Sequence, residues 1–218
     1  MKMKKILAFV AINLFISTSA NALIIDSLNI DFLPEKKVHF QLIKNNSEQR
    51  KNYTLSMVQV DVPREKGHET EIESGELLYS PKQLTLGPGE SAGFKFYYTG
   101  PQDDKERYYR VKFIETPLQA HQVISKGRRI QTDITVSLEA ILIVRPWKRY
   151  FQYTFANGVI RNTGNTYFKY ASSRGCSNQY NDSKYIPPGE SLNIDNKDQV
   201  ARRMIVYGKK IISLTTCS

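Results

Sequence analysis

The sequence is poor in cysteine and histidine, which removes the usual routes to a metal centre. Of its 218 residues, 2 are Cys and 3 are His. His39, His68 and His121 are scattered along the chain, so they indicate neither a zinc site nor a catalytic triad. The sequence also lacks a glycine-rich phosphate loop and a dinucleotide fingerprint. We therefore expect no metal and no cofactor.

One serine motif is present, but its surroundings do not suit an enzyme. Residues 89–93 read Gly-Glu-Ser-Ala-Gly and match the G-x-S-x-G nucleophile pattern. That pattern requires a strand before the serine and a helix after it. Here Pro88 precedes the motif, and the strand-like run Phe94 to Tyr98 follows it. A secreted hydrolase is disfavoured, and we expect the protein not to be an enzyme.

Long hydrophobic runs are also missing, apart from a short one near the start. Residues 1–5 are basic, residues 6–16 are apolar apart from Asn13, and residues 20–22 read Ala-Asn-Ala. These are the three parts of a cleaved signal peptide, and the apolar run of about 11 residues falls short of the roughly 20 that span a bilayer. We predict cleavage after Ala22, export, and no membrane span in the mature chain.

Export makes a disulfide bond between the two cysteines chemically feasible. Disulfide bonds persist in oxidising compartments, so Cys176 and Cys217 are predicted to form a structural bridge. The charge is moderate: 31 Lys and Arg against 21 Asp and Glu give +10. The basic clusters at 126–129, 202–203 and 209–210 are short and separate. We expect no nucleic-acid partner, and these clusters are interpreted as solvated loops or as contacts to an acidic partner.

The chain has the composition and periodicity of strands. Its 13 Tyr and 10 Phe accompany many Val, Ile and Thr residues, and apolar and polar residues alternate along it without a convincing helical stripe. Strands are predicted at 24–32, 38–44, 53–60, 76–79, 93–98, 108–115 and 131–144, and then at 151–155, 159–162, 167–172, 191–194, 201–207 and 210–215. Pro146 ends the longest strand. The prediction is an all-β fold of two immunoglobulin-like sandwich domains, residues 23–145 and a smaller domain at 146–218.

An internal echo supports two related sandwiches. Residues 88–91 and 188–191 both read Pro-Gly-Glu-Ser, and each set precedes a predicted strand. Proline fixes the first dihedral of a turn, and glycine supplies the positive one. The sequence therefore predicts the same turn in both domains.

Residues 117–146 are the most informative segment. A polar loop is predicted at 117–129, and the strand after it alternates strictly up to Glu139. The apolar side of that alternation consists of Ile130, Thr132, Ile134, Val136 and Leu138. Two interpretations remain open: this row faces the core of its own domain, or it is an exposed edge offered to a partner by β-strand addition. A long exposed edge is normally avoided because it templates aggregation.

Several segments together resemble a known family. They are Gly100-Pro101, residues 104–111, the alternation that ends at Val144-Arg145-Pro146, and the hairpin of residues 151–165. The sequence is similar to the periplasmic pilus chaperones of the chaperone-usher pathway, most closely the alternate branch that serves colonisation-factor and common-pilus fimbriae. This resemblance implies a boomerang arrangement of the two domains and a location in the periplasm.

The resemblance also implies a mechanism and partners. Chaperones of this family capture major and minor fimbrial subunits whose sandwich lacks its last strand. They lend an edge strand, a process called donor-strand complementation, and deliver the subunit to the outer-membrane usher. In this chain the lent strand carries the row from Ile130 to Leu138. The same edge leaves self-association of the free protein open.

Two further sets of residues follow from the resemblance. Glu106, Arg145 and Asp195 match the ion pairs that hold the two domains together. The conventional branch also anchors the subunit's terminal carboxylate with two basic residues, but residues 23–32 contain no Lys or Arg and Ile141 takes the other position. Arg107, Arg110 and Lys112 are then the candidate anchors. The alternative to a chaperone is a secreted immunoglobulin-like component of a surface fibre, structural or adhesive.

Overall fold

The computed structural model describes residues 23–64, 66–118, 121–125, 128–132, 135–173, 180, 182–194 and 202–215, and all regular structure within them is β-strand. Within this part of the chain, no helix is long and apolar enough to cross a membrane. The strands are β1 (Leu23–Ile25), β2 (Asn29–Phe32), β3 (Val38–Asn45), β4 (Lys51–Val60), β5 (Glu69–Thr70), β6 (Leu77–Ser80), β7 (Gln83–Leu86), β8 (Ser91–Tyr98), β9 (Arg107–Pro117), β10 (His121–Ser125), β11 (Arg128–Thr132), β12 (Val136–Val144), β13 (Tyr153–Ala156), β14 (Val159–Asn162), β15 (Phe168–Ser173), β16 (Asp182–Ile186), β17 (Ser191–Asn193), β18 (Arg202–Tyr207) and β19 (Lys210–Ser213).

Two sheets form the first sandwich. One has the order β1-β3-β8-β6, and the other has the order β2-β12-β9-β4-β5 with β7 also paired to β4. Their facing sides enclose an aromatic core in which Tyr53, Phe94, Phe96, Tyr109 and Phe113 are fully buried. Alternation along each strand places these side chains on one face and polar ones on the other. The predicted sandwich of the first domain is thereby confirmed.

A second, smaller sandwich follows Pro146. Its sheets have the orders β13-β14-β17 and β16-β15-β18-β19, and Ile160, Phe168 and Ile205 lie fully buried between them. The all-β class and the two sandwiches agree with the sequence, although β5, β7, β10 and β16 were not among the predicted strands. The exact domain limits at residues 145 and 146 stay a prediction.

The repeated turn is confirmed in detail. Gly89 and Gly189 both have positive φ, 73° and 80°, which glycine adopts without a Cβ clash. The Gly89 N–H donates to the Asn45 carbonyl at 2.9 Å, and the Gly189 N–H donates to the Asn162 carbonyl at 3.0 Å. Asn45 and Asn162 are both fully buried, and their amide groups donate to strand carbonyls across each domain. The two sandwiches therefore contain the same kind of turn, and in each a buried asparagine accepts a hydrogen bond from the turn glycine.

Two sequence predictions about strands were wrong. The strand predicted at 24–32 is divided between the two sheets: β1 pairs with β3, and β2 pairs with β12. The change occurs at Ser27, whose hydroxyl donates to the Asn29 carbonyl at 2.7 Å and accepts from the Asn29 N–H at 3.1 Å. Such a local turn takes the backbone out of the first ladder.

The polar loop predicted at 117–129 is largely a hairpin. Strand β9 continues to Pro117, and β10 pairs with β11 from His121↔Thr132 to Ser125↔Arg128. The predicted single strand at 131–144 is likewise replaced by β11 and β12. Between the pairs Glu115↔Val136 and His121↔Thr132 lie five residues on one strand and three on the other, 116–120 and 133–135. This unequal spacing interrupts a hairpin that otherwise runs from β9 to β12.

Candidate functional site

The outer edge of β12 is open over half of its length. On one side, β12 pairs with β9 along its whole length, from Val136↔Glu115 to Val144↔Arg107. On the other side, β2 pairs with it only from Ile141 to Val144. No other strand in the described part of the chain pairs with this edge. Residues Val136 to Ala140 therefore form a strand edge available for pairing.

The backbone groups at this edge are identified by the contacts of β2. The N–H of Ile141 donates to the Leu28 carbonyl and the N–H of Arg145 donates to the Phe32 carbonyl, both at 2.9 Å. Because the N–H and C=O of alternate residues point to the same side of a strand, those of Ser137 and Glu139 also point away from β9. A partner's strand that formed hydrogen bonds with these groups would lie along the same side of β12 as β2.

The apolar row of β12 passes from the core to its margin. Ala140, Leu142 and Val144 are buried in the first sandwich, whereas Leu138 and Val136 are only half-buried. Leu138 packs against that core from its margin. Leu138 thus contacts the chain's own core, as the first interpretation expects, whereas the second interpretation, an edge offered to a partner, stays a prediction.

The structure places the other residues of the row in part. Ile130 and Thr132 lie in β11, where they pair with Val123 and His121. Ile134 lies outside the described residues. The five-residue row stays a prediction as a binding surface.

A buried ion pair lies where the two sandwiches meet. Arg145 Nη1 lies 2.8 Å from Glu106 Oε2, and the Glu106 side chain is fully buried. Glu106 also accepts hydrogen bonds from the Tyr108 hydroxyl (2.5 Å), the Thr166 hydroxyl (2.7 Å) and the Tyr167 N–H (2.8 Å). Thr166 and Tyr167 belong to the second sandwich. Glu106 thus contacts residues of both sandwiches, next to the C-terminal end of β12.

Asp31 is a partner of Arg145 that the sequence did not reveal. Its carboxylate lies 2.9 Å from Arg145 Nη2, and the guanidinium stacks over the Tyr167 ring, 4.2 Å from its centroid. Burial works against the charge on Arg145, yet the carboxylates of Glu106 and Asp31 outweigh it and raise its pKa. The third predicted member of this set, Asp195, lies outside the described residues.

An apolar contact surrounds this ion pair. Val60, Tyr108 and Ile143 of the first sandwich pack with Tyr167 of the second, and Tyr185 lies against them. Arg64 forms a further ion pair with Glu190 across the same boundary. Charged and apolar contacts therefore fix the second sandwich close to the open edge.

The three candidate anchors are already paired with carboxylates of the chain. Arg107 makes a two-pronged contact with Asp103, at 2.7 and 2.8 Å, which raises the pKa of Arg107 and holds that of Asp103 well below its usual range. Arg110 is buried against Glu69 and lies 3.6 Å from Glu139. Lys112 Nζ lies 3.0 Å from Glu139, and both side chains are half-exposed.

All three residues lie in β9 and pair with β12, at different positions along it. Arg110 is the cross-strand neighbour of Ile141, and Lys112 is that of Glu139. Arg107, the first residue of β9, is the cross-strand neighbour of Val144, and its side chain contacts Glu76 and Asp103. Their role as anchors stays a prediction. Cys176 and Cys217 lie outside the described residues, so their pairing also stays a prediction.

Comparisons with known proteins decide the family. The chain is 36% identical over 178 residues to the probable fimbrial chaperone EcpE of Escherichia coli (strain K12), covering 79% of this chain and 75% of that protein. The chain belongs to the fimbrial chaperone family. It is also 27% identical over 223 residues to the probable fimbrial chaperone EcpB of Escherichia coli O157:H7 (strain EC4115 / EHEC), covering 96% of this chain and 99% of that protein.

Two other comparisons agree with this family. Residues 151–213 match the model of the EcpB C-terminal domain. The solved structure of the Salmonella enterica SafA pilin in complex with the SafB chaperone contains a chain with a TM-score of 0.61 and 13% identity, covering 92% of this chain and 99% of that one. The fold is that of the pilus chaperones of the chaperone-usher pathway. The protein is a chaperone with a role in pilus subunit assembly.

Proposed function

We propose that this chaperone binds fimbrial major and minor subunits in the periplasm by donor-strand complementation through β12. The observation that carries this proposal is the open edge at Val136 to Ala140, with an apolar row that continues past the core. A subunit strand bonds to the edge, and the row fills the subunit's groove. Binding and release require no chemistry, so the proposed function is not enzymatic.

Two features indicate where along β12 a bound subunit strand would end. The edge is closed by β2 at Ile141, close to the ion pair of Arg145 and Glu106. A subunit strand that pairs with Ser137 and Glu139 therefore ends beside the second sandwich. The loaded chaperone then delivers its subunit to the outer-membrane usher, where the next subunit replaces the lent strand.

The anchors for the subunit's terminal carboxylate are proposed among the same neighbours. Arg110 and Lys112 support this role by their position beside Ile141 and Glu139, at the closed end of the edge. Because both cations already contact carboxylates of the chain, a subunit carboxylate has to share or displace Glu69 or Glu139. Arg107 lacks this position.

A proline substitution tests the edge without touching the core. Ser137→Pro removes an N–H that points away from β9, and proline is tolerated in edge strands when its N–H is not used. We expect the variant to fold but to lose recovery of the co-expressed fimbrial subunit in a periplasmic pull-down. Ser137→Ala is the matched control and should recover a one-to-one complex. Equal recovery by the two variants would contradict donor-strand complementation at this edge.

A second pair of substitutions tests the apolar row. Val136 and Ser137 are adjacent in β12 and point to opposite faces, so only Val136→Asp places a charge in the subunit's groove. We expect Val136→Asp to lose the subunit and Ser137→Asp to retain most of it. Loss with Ser137→Asp alone would place the binding surface on the other face of the strand.

A further inference from the structure

The outer face of the β1-β3-β8-β6 sheet is apolar where a solvated sheet face is normally polar. Val38, Phe40 and Leu78 on this face are 42%, 54% and 49% exposed. They form neighbouring cross-strand rows, because Val38 and Leu78 both pair with Tyr97 and Phe40 pairs with Lys95. Ile24, 46% exposed, extends the face along β1. Contiguous exposed apolar surface of this kind marks an interaction site.

The most exposed of these side chains is held in place by a glycine. A Cβ on Gly93 would lie 2.2 Å from Cζ of Phe40, so the Phe40 ring rests directly over the Gly93 backbone. One side of the ring is therefore supported by the sheet, and the other side meets solvent. A supported aromatic ring loses little conformational freedom when it binds a partner.

The charges on this face have one sign. Lys44 and Lys95 project from it, and the strand residues that share the face include no carboxylate. Beyond the strand ends both signs occur, with Lys36, Lys37 and Lys82 as well as Asp26 and Glu35, so the one-sign charge is a property of the strand residues alone. Within the described residues, neither Lys44 nor Lys95 has an ion-pair partner. Their charge is available to an anionic surface.

We propose that this face binds an anionic phospholipid bilayer. A broad sheet face that combines an aromatic ring, aliphatic side chains and lysines has the composition of surfaces that lie in the membrane interface. A second copy of the chain would bring lysines against lysines. The open edge of β12 lies in the other sheet, so a chaperone bound to a membrane in this way keeps that edge available to subunits.

Vesicle flotation tests the proposal with the mature protein recovered from the periplasmic fraction. Wild type should float with vesicles of equal parts phosphatidylglycerol and phosphatidylcholine, but not with phosphatidylcholine alone. Lys44→Gln with Lys95→Gln should weaken binding about 25-fold, since each lysine near an anionic surface contributes about fivefold. Phe40→Ser should weaken it about tenfold, because about half of the ring remains to be buried.

The control removes two charges elsewhere. Arg161→Gln with Lys209→Gln changes the net charge equally on exposed residues of the second sandwich and should leave vesicle binding unchanged. The proposal is overturned if wild type does not bind anionic vesicles, or if this control loses as much binding as the Lys44 and Lys95 variant. Because flotation needs no subunit, a negative result here leaves the proposal for β12 standing. Subunit recovery by the Lys44 and Lys95 variant should remain at the wild-type level.

Discussion

Replacement of Arg145 should destabilise the protein because it leaves a buried carboxylate without its cation. The guanidinium is 8% exposed and lies 2.8 Å from Glu106, whose side chain is fully buried. Loss of one partner of a buried ion pair costs about 3–5 kcal/mol. Glu106 keeps donors from Tyr108, Thr166 and Tyr167, which favours the lower end of that range. We expect Arg145→Met to reduce the free energy of unfolding by about 3 kcal/mol.

Urea unfolding followed by circular dichroism measures this change, and two variants serve as controls. Asp31 contacts the same guanidinium but is 48% exposed, so Asp31→Asn should cost about 0–1 kcal/mol. Glu106→Gln combined with Arg145→Met removes both charges and should restore part of the loss. An Arg145→Met variant that costs no more than Asp31→Asn, or a double variant that is the least stable of the set, would contradict this expectation.

Three further predictions concern one glycine and three tyrosines. Gly164→Ala should destabilise the second sandwich by about 1–3 kcal/mol in urea unfolding, because its Cβ would lie 2.2 Å from the Tyr150 carbonyl oxygen and backbone cannot move aside; a neutral result would contradict this. Tyr53→Phe removes a 3.1 Å hydrogen bond to buried Glu115 and should cost about 1.5–3 kcal/mol in the same assay; a loss below about 0.5 kcal/mol would show that the bond contributes little. Burial raises the pKa of both Tyr98 and Tyr167 to about 12, so the unfolded chain releases these protons first, at about pH 10, and stability should fall from there towards pH 12. A urea midpoint that stays constant between about pH 9 and 11 would contradict that expectation.

Most of the architecture follows from local signals in the sequence. Alternation predicted most strands of both sandwiches, and the two Pro-Gly-Glu-Ser turns predicted their relation, because proline and glycine within each turn set its dihedrals. The division at Ser27 could not be predicted in this way. Residues 24–32 alternate well enough for one strand, and only the long-range pairing of β1 with β3 and of β2 with β12 separates them.

The sequence predicted the site less completely, because the site also depends on long-range strand pairing. The apolar row was visible in the sequence, but which end enters the core depends on β9 and β2, which are distant along the chain. The contact of Glu106 with Arg145 accords with the resemblance. Asp31 and Thr166 carried no signal, because a single charged or hydroxyl residue in a strand or loop is usually solvated.

Hydrogen exchange at individual amides of β12 tests the central claim most directly. In the free chaperone, the N–H groups of Ser137 and Glu139 should exchange fast, and those of Val136 and Leu138, which face β9, should exchange slowly. In the complex with a fimbrial subunit, Ser137 and Glu139 should become protected while Val136 and Leu138 change little. A stable complex in which Ser137 and Glu139 still exchange at their free rates would contradict donor-strand complementation through this edge.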